Sequence, residues 1–145
     1  MREHMGLFRG KRPDNGEWVK GFYHYADWVM PPTNEFVKRT HSILPLKSQD
    51  AFDVDPATVG ECTGLTDKNG KLIFEGDIVE YPVGDRYGGN LHKVVFERRG
   101  ESGYFGITIS DIETWQFCLE VPAKLMRVIG NIHDNPELTG GANSD

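Results

Sequence analysis

The stretch TGLTDKNGKLIFEGDIVEY, residues 63–81, contains two turn signals, each followed by a short apolar run. Asn69-Gly70 accepts positive φ angles with little strain, and this dipeptide is a strong hairpin signal. Gly76 allows a sharp kink before the second run, and the Asp77 side chain can accept hydrogen bonds from nearby backbone amides. We therefore predict that these residues shape a β-structure.

A second Asn-Gly pair, Asn15-Gly16, lies in PDNGEW near the start of the chain and is followed by an aromatic run. This pattern predicts an N-terminal β-hairpin. The words GKRPDNG (10–16) and GLTDKNG (64–70) also share the position of Asn-Gly. They indicate either two related hairpins or repeated use of one turn chemistry, and a single short match favours the second interpretation.

Short apolar runs recur after residue 70, with glycines between or beside them. This spacing is typical of a small barrel or sandwich, so we predict a mostly β protein with few, short helical turns. The candidate strands are 71–75, 77–82, 91–97, 103–109, 115–120 and 125–130.

Two Asx-Pro pairs predict short helical turns. Asp55 is a suitable N-cap with Pro56 at the first helical position, and Asn135 with Pro136 repeats this pattern near the end of the chain. Each predicted helix is about one turn long, because Gly60 soon follows the first.

The segment between residues 30 and 50 has weak periodicity and three prolines, so we interpret it as a connector that can contain a short strand or a turn of helix. We accordingly predict a β-hairpin extension with its connector at 1–47 and a barrel domain at 48–138. The small, polar, glycine-rich end, 139–145, predicts a disordered tail.

The chain has 145 residues, of which 38% are hydrophobic and 26% are charged, as is ordinary for one folded domain with an extension. Its net charge of −6 is unevenly spread. Residues 1–47 hold 8 Lys/Arg and 5 Asp/Glu, giving +3, whereas residues 48–145 hold 8 and 17, giving −9. The acidic part disfavours broad phosphate binding, and the contrast makes head-to-tail self-association plausible.

No apolar run reaches the length of a membrane helix, and the N-terminus lacks the apolar segment of a signal peptide. The two cysteines, Cys62 and Cys118, are too few for a secreted disulfide scaffold. We expect a cytoplasmic protein of a bacterial cell with reduced thiols, the alternative being a Cys62–Cys118 bridge.

Metal and catalytic sites are not favoured by the sequence. Asp67 and Asn69 begin like a calcium loop, but Lys71 follows and Glu75 is too near to be the distal ligand. The five histidines lack a zinc spacing, and no phosphate-binding or nucleophile motif is present. We predict no catalytic residue, no metal and no cofactor.

Carboxylate pairs offer the alternative of a metal-dependent enzyme. Residues two apart share a strand face, so paired carboxylates could hold Mg²⁺ or transfer a proton. Solvent-facing acidic residues produce such pairs routinely, and we favour that interpretation. The pairs are Glu75/Asp77, Asp53/Asp55 and Asp111/Glu113.

Basic and aromatic residues are interleaved near the N-terminus, and they form the candidate interaction surface. Such residues can stack on nucleic-acid bases or bind a protein partner. Burial of alternate aromatics is the competing interpretation, and strand aromatics favour it. The candidate residues are Arg9, Lys11, Arg12, Trp18, Tyr23, Tyr25 and Trp28.

Three stretches together resemble the YopX family of bacteriophage and prophage proteins, mostly from Gram-positive bacteria. They are FRGKRPDNGEWVKGFYHY (8–25), VDPATVGECTGLTDKNGKLIFEGDIVEY (54–81) and VIGNIHDNPEL (128–138). The resemblance implies a β-rich fold whose C-terminal part is similar to an SH3-type barrel. It supplies no catalytic residues, and the function of the family is not established.

The sequence therefore leaves three classes of function. The favoured one is a non-enzymatic phage accessory protein that binds a host or phage protein, or associates into a homo-oligomer. The second is a nucleic-acid-binding protein, or an acidic DNA mimic that acts on a host DNA-binding protein. The third is the metal-dependent enzyme.

Overall fold

The computed structural model describes residues 6–81, 91–99, 102–110, 113–115 and 123–139. These residues form strands and one 3₁₀ helix at Pro136–Thr139, which confirms the prediction of a mostly β protein. The strands are β1 Phe8–Lys11, β2 Trp18–Met30, β3 Glu35–Pro45, β4 Phe52–Asp53, β5 Asp55–Thr66, β6 Leu72–Phe74, β7 Asp77–Glu80, β8 Leu91–Arg99, β9 Ser102–Ser110, β10 Glu113–Trp115 and β11 Arg127–Asn131.

The described residues divide into two compact units. The first unit is Gly6–Glu61, and the second begins at Cys62. The sequence predicts a boundary after residue 47, but β4 pairs with β3, and the first half of β5 pairs with β1. These pairings join residues 52–61 to the first unit.

In the first unit the antiparallel strand order is β4-β3-β2-β1-β5. The predicted PDNGEW turn joins β1 to β2. Gly16 has a φ of 73°, and the Asn15 Oδ1 atom accepts a hydrogen bond of 3.0 Å from the Glu17 amide. The Arg12 amide donates a 2.8 Å hydrogen bond to the Glu17 carbonyl, which closes the turn. The predicted N-terminal hairpin is confirmed.

Strand β3 lies where we predicted a connector. It runs for eleven residues and pairs with β2 along ten rows, from Gly21↔Pro45 to Met30↔Glu35. Both faces of its outer half are exposed, so the sequence shows no alternation of polar and apolar residues. That absence of a pattern is why the strand looked like a loop.

The inner ends of β2 and β3 lie very close together at Gly21. A Cβ atom there would overlap the Leu44 carbonyl group, so only glycine fits. Ile43, directly beside this contact, is fully buried. Leu7 and Val54 are the other buried apolar side chains of the first unit.

The helical turn predicted at Asp55-Pro56 is wrong, because β5 begins there. The Asp55 side chain accepts a hydrogen bond from the Ala57 amide at 3.0 Å, as an N-cap would. However, the Lys11 amide donates to Thr58 Oγ1 at 2.8 Å and draws this segment onto β1. Pro56 is tolerated because it lies at the start of the strand.

In the second unit β5 pairs with β6, and five further strands follow the order β10-β9-β8-β7-β11. The core contains Ile73, Val79, Val94, Ile107, Ala123 and Met126. The five predicted strands that fall on described residues match β6, β7, β8, β9 and β11.

The predicted strand 115–120 lies outside the described residues except for Trp115, which ends β10. Cys118 and most of the predicted tail also lie outside them. Within the described ranges neither sheet closes on itself, so the SH3-like barrel is not observed. The turn predicted at Asn135-Pro136 is confirmed by the 3₁₀ helix.

None of the helices in the described ranges has the length and apolar character needed to cross a membrane.

Candidate interaction surface

The three basic residues of the predicted surface contact aromatic rings of their own chain. Arg9 is buried, with its guanidinium carbon 4.8 Å from the centre of the Trp18 ring, and Lys11 Nζ lies 5.9 Å from the same centre. The Arg12 guanidinium lies 4.5 Å from the centre of the Phe52 ring. The three cationic groups therefore lie against aromatic rings of the same unit.

Arg12 also forms an ion pair with Asp14, with Nη2 and Oδ2 2.8 Å apart. This hydrogen bond is the largest influence on the pKa of Asp14, which is lowered from its usual value. The pair is local, since only Pro13 separates its partners in the chain.

Tyr23 and Tyr25 lie on one face of β2, and Trp28 lies further along the same strand. The Tyr23 hydroxyl shares a 2.6 Å hydrogen bond with His41 Nδ1, and the two rings are nearly parallel. Burial is the main cause that raises the pKa of Tyr23; the charge of Arg39 opposes the rise, and the neighbouring Tyr25 adds to it. The hydroxyl therefore keeps its proton at neutral pH.

Arg39 continues this row toward the turn. Its Nε and Nη2 atoms contact the two carboxylate oxygens of Asp27 at 2.5 and 3.0 Å. Its guanidinium carbon lies 4.3 Å from the centre of the Tyr25 ring. The hydrogen bonds are the main cause that lowers the pKa of Asp27 and raises that of Arg39. Both groups stay charged. The two parallel hydrogen bonds to Asp27 fix the Arg39 guanidinium beside the Tyr25 ring.

We call Phe22–Met30 of β2 and Glu35–His41 of β3 the outer ribbon. Here β2 and β3 pair with each other, whereas β1 pairs with β2 only up to Gly21, and β4 reaches only Ser42 and Ile43. The described neighbours therefore leave the strand edges of the outer ribbon unpaired. The side chains of its outer half are exposed along both strands, so both faces are open as well.

Exposed apolar side chains concentrate on the outer ribbon. Trp28 is 56% exposed, although its indole nitrogen donates a 3.2 Å hydrogen bond to Thr40 Oγ1, and Tyr25 is 55% exposed. The competing interpretation, burial of alternate aromatics, therefore does not hold at these two positions. Among the described residues nine large apolar side chains are exposed, and seven belong to the ribbon: Phe22, Tyr25, Trp28, Val29, Met30, Phe36 and Val37.

Sequence reasoning missed five surface residues: Phe22, Val29, Met30, Phe36 and Val37. Aromatic and β-branched residues in a strand usually indicate a buried face, and nothing local shows that the covering strands are short. The only available signal was the density of large apolar residues around a Pro-Pro turn.

The DKNG turn shapes the chain, as predicted. Asp67 is buried, and its Oδ1 atom accepts hydrogen bonds from the Asn69 and Lys71 amides at 2.8 and 2.9 Å. Its Oδ2 atom accepts a 2.8 Å hydrogen bond from the Val128 amide. Gly70 takes the predicted positive φ, 82°.

Burial raises the pKa of Asp67, but the three backbone hydrogen bonds and the charge of Lys71 outweigh it. The net pKa lies below the usual value. The carboxylate is therefore ionised, and it holds the turn against β11.

Asp77 also has the predicted structural role. It is buried, and its carboxylate accepts a 2.7 Å hydrogen bond from the Phe74 amide across the kink at Gly76, whose φ is 92°. Asp53 and Asp55 are both exposed, and Asp111 lies outside the described residues. No group of three His, Cys, Asp or Glu side chains in the described ranges could hold a metal ion.

Comparison with known proteins gives a family but no function. A search of curated proteins found no match. Among solved structures, the chain is similar to protein EF1440 from Enterococcus faecalis, with 22% identity and a TM-score of 0.44. That similarity covers 91% of this chain and 96% of the other. The family model described as YopX protein matches residues 7–139, and the chain therefore belongs to the YopX family.

Proposed function

We propose that the chain is a phage- or prophage-encoded accessory protein that binds another protein, or a second copy of itself, through the outer ribbon. The observation that carries this proposal is the concentration of exposed apolar side chains there. The phage setting comes from the family resemblance. In this proposal the protein is cytoplasmic and has no enzymatic activity.

Physical chemistry favours a partner for such a surface. Soluble proteins seldom expose large contiguous apolar patches unless these bind something. Burial of apolar area contributes roughly 25 cal/mol per Å², and Trp and Tyr are over-represented among residues that dominate binding energy. Trp28 and Tyr25 are both more than half exposed on the outer ribbon.

Contacts within the first unit weigh against direct nucleic-acid binding. A base would need an open ring face and a cation free to reach phosphate. Here Arg9 covers a face of Trp18, Arg12 covers a face of Phe52, and Arg39 covers a face of Tyr25. Each guanidinium therefore already has an aromatic partner.

The net charge of the first unit also weighs against direct nucleic-acid binding. Residues 6–61 contain 7 Lys/Arg and 8 Asp/Glu, giving −1, because Asp50, Asp53, Asp55 and Glu61 belong to this unit. The basic N-terminal region inferred from the sequence is thus neutralised within its own unit. Attraction between a basic and an acidic part no longer drives self-association, and apolar contact does.

The SH3-like barrel implied by the family resemblance would be built from the strands of the second unit. Its closure remains part of this proposal. Binding through the outer ribbon does not depend on it, since β2 and β3 belong to the first unit.

Capture by the tagged, full-length chain tests the proposal. A bacterial lysate that also contains an untagged copy of the chain is applied with and without nuclease, and bound proteins are identified by mass spectrometry. The wild type is compared with the double variant Trp28→Ser, Phe36→Ser. We expect the double variant to lose at least about 90% of the captured partner, because the two exposed aromatics lie on opposite faces of the outer ribbon and the variant removes one ring from each face.

Matched controls are available elsewhere on the surface. Leu125 is as exposed as Trp28, and Leu46 is similar, so Leu125→Ser and Leu46→Ser change equally exposed apolar residues outside the ribbon. Both controls should retain capture. Capture by the double variant at the wild-type level would overturn the proposal, and so would a wild-type partner that disappears with nuclease.

A further inference from the structure

We propose that the outer ribbon binds a second copy of this chain, and that the two copies pair β2 with β2, antiparallel, about a two-fold axis at Ala26. This inference rests on the proposed function and specifies the partner. The second copy binds along the edge of β2 from Phe22 to Met30. The opposite edge of β2 pairs with β3.

An open strand edge presents backbone N–H and C=O groups that another strand can pair with. In the described part of the first unit, the pairing of β2 with β1 ends at Gly21. Beyond it, β3 is the described strand that pairs with the next nine residues of β2. The hydrogen-bonding groups on the opposite edge of these residues therefore have no partner strand within the described residues.

The two edges of the outer ribbon differ in a way that selects β2. Proteins protect strand edges with lysines, prolines and bulges. The β3 edge carries Glu35, Lys38 and Arg39, and Val37 is an extra residue that makes a bulge opposite Trp28 and Val29. The β2 edge has no lysine, no proline and one charged residue, Asp27. It is the edge that can accept another strand.

The length of the open stretch fixes the register. A two-fold axis perpendicular to an antiparallel pair places one residue opposite itself, and full pairing of Phe22–Met30 requires that residue to be Ala26. Pairing beyond this range is blocked by β1 at Gly21 and by Pro31, which lacks an amide hydrogen. Any other symmetric register loses at least two of the nine rows.

The opposed side chains in this register are compatible. Ala26 is the smallest residue of the stretch, so nothing crowds the axis. Asp27 faces Tyr25 of the second copy, whose hydroxyl can donate to a carboxylate, and no like charges oppose each other. The remaining rows pair Phe22 with Met30, Tyr23 with Val29, and His24 with Trp28. Aromatic–methionine and aromatic–β-branched pairs are favourable across strands.

Disulfide cross-linking between engineered cysteines tests this register directly. Residues opposite each other in an antiparallel pair have Cα atoms about 4.5–5.5 Å apart, within the range of a disulfide. Ala26→Cys should therefore form a covalent dimer on mild oxidation. His24→Cys is the matched control: it is exposed on the same strand, but the two copies of residue 24 lie about 13 Å apart in this register.

A second register point comes from the double variant His24→Cys, Trp28→Cys. These two positions oppose each other between copies, so the double variant should cross-link although His24→Cys alone does not. The wild-type chain under the same oxidation measures any background from its own cysteines. Non-reducing electrophoresis with mass spectrometry of the linked peptides gives the result.

Sedimentation equilibrium tests the interface without cysteines. The wild-type mass should approach twice that of the chain as concentration rises. Ala26→Lys places two like charges at the axis and should raise the dimer dissociation constant at least tenfold, whereas Ala26→Ser should leave it nearly unchanged. Both residues fit an exposed strand position opposite Thr40.

Four results would overturn the inference. They are a wild-type chain that stays monomeric, equal cross-linking of Ala26→Cys and His24→Cys, failure of both cysteine designs in a folded chain, and cross-linking that requires deletion of residues 1–5. The last would show that the chain's own N-terminus occupies the edge. If capture still depends on Trp28 and Phe36 in any of these cases, protein binding stands and only the identity of the partner is wrong.

Discussion

The two Asn-Gly turns of this protein look alike in sequence and do different work in the structure. In the first, PDNG (13–16), Asp14 is exposed and pairs with Arg12. In the second, DKNG (67–70), Asp67 is buried and accepts hydrogen bonds from three backbone amides. One of those amides belongs to Val128, 61 residues away along the chain.

The difference shows what a local pattern can and cannot specify. Asn-Gly determines the backbone of both turns, since Gly16 and Gly70 have similar positive φ angles, 73° and 82°. The aspartate beside each pair takes its role from what surrounds it. Asp14 stays in solvent, whereas Asp67 joins the turn to β11 and becomes part of the second unit's framework.

The largest expected effect comes from Asp67→Ala. Loss of the carboxylate leaves three amide donors without their acceptor, and each unsatisfied donor costs about 1–3 kcal/mol. We expect the free energy of unfolding to fall by about 3 kcal/mol, measured by urea denaturation. Lys68→Ala changes an exposed neighbour in the same turn and is the control. It should leave the free energy of unfolding nearly unchanged. Equal effects of the two changes would contradict the tertiary role of Asp67.

The pH dependence of stability sharpens the comparison. Because the pKa of Asp67 is lower in the folded chain than in the unfolded one, the ionised carboxylate stabilises the fold above the unfolded value of about 3.9. This contribution is lost as the pH falls through the lower, folded value. The difference in unfolding free energy between the wild type and Asp67→Asn should therefore shrink between about pH 6 and about pH 3. A difference that stays constant over this range would show that the charge of Asp67 is irrelevant.

The glycines should give a smaller effect that is equal in both turns. An L-residue at positive φ costs about 1–2 kcal/mol. Gly16→Ala and Gly70→Ala should each destabilise the chain by about that amount, since a Cβ atom meets no close neighbour at either position. Thermal unfolding by circular dichroism measures both. A large effect at one position only would mean that the two turn backbones differ.

Asp14→Asn should have the smallest effect. Its ion pair with Arg12 is exposed and local, and such pairs contribute little once solvent screens them. We expect no measurable change in the urea midpoint at low or high salt. A clear loss of stability would show that the first turn, like the second, depends on its aspartate.

Sequence reasoning succeeded where the deciding interactions were close in the chain. It predicted both hairpin turns, the kink at Gly76 with the Asp77 hydrogen bond, and the terminal turn at Pro136. It failed at Asp55, where the cap-then-proline signal was present but the Thr58 hydroxyl tied the segment to β1. A local propensity of a few tenths to about 1 kcal/mol is easily overridden by sheet pairing.

The candidate surface was predicted only in part. The sequence pointed to Tyr25 and Trp28, but it grouped them with Arg9 and Trp18, which pack together elsewhere in the first unit. It could not show that β1 covers only four residues of β2, because the length of a pairing depends on the partner strand. For that reason Phe36 and Val37 were not recognised as exposed.

The sequence by itself determined the β-rich class, the position of the turns and membership of the YopX family, because these follow from short patterns that act locally or are matched directly. Tertiary structure alone decided that β3 extends into an open ribbon, that the first unit is nearly neutral, and that Asp67 is a buried link while Asp14 is not. The physical reason is the same in each case: burial and strand pairing depend on residues distant in the chain, and only the folded arrangement brings those residues together.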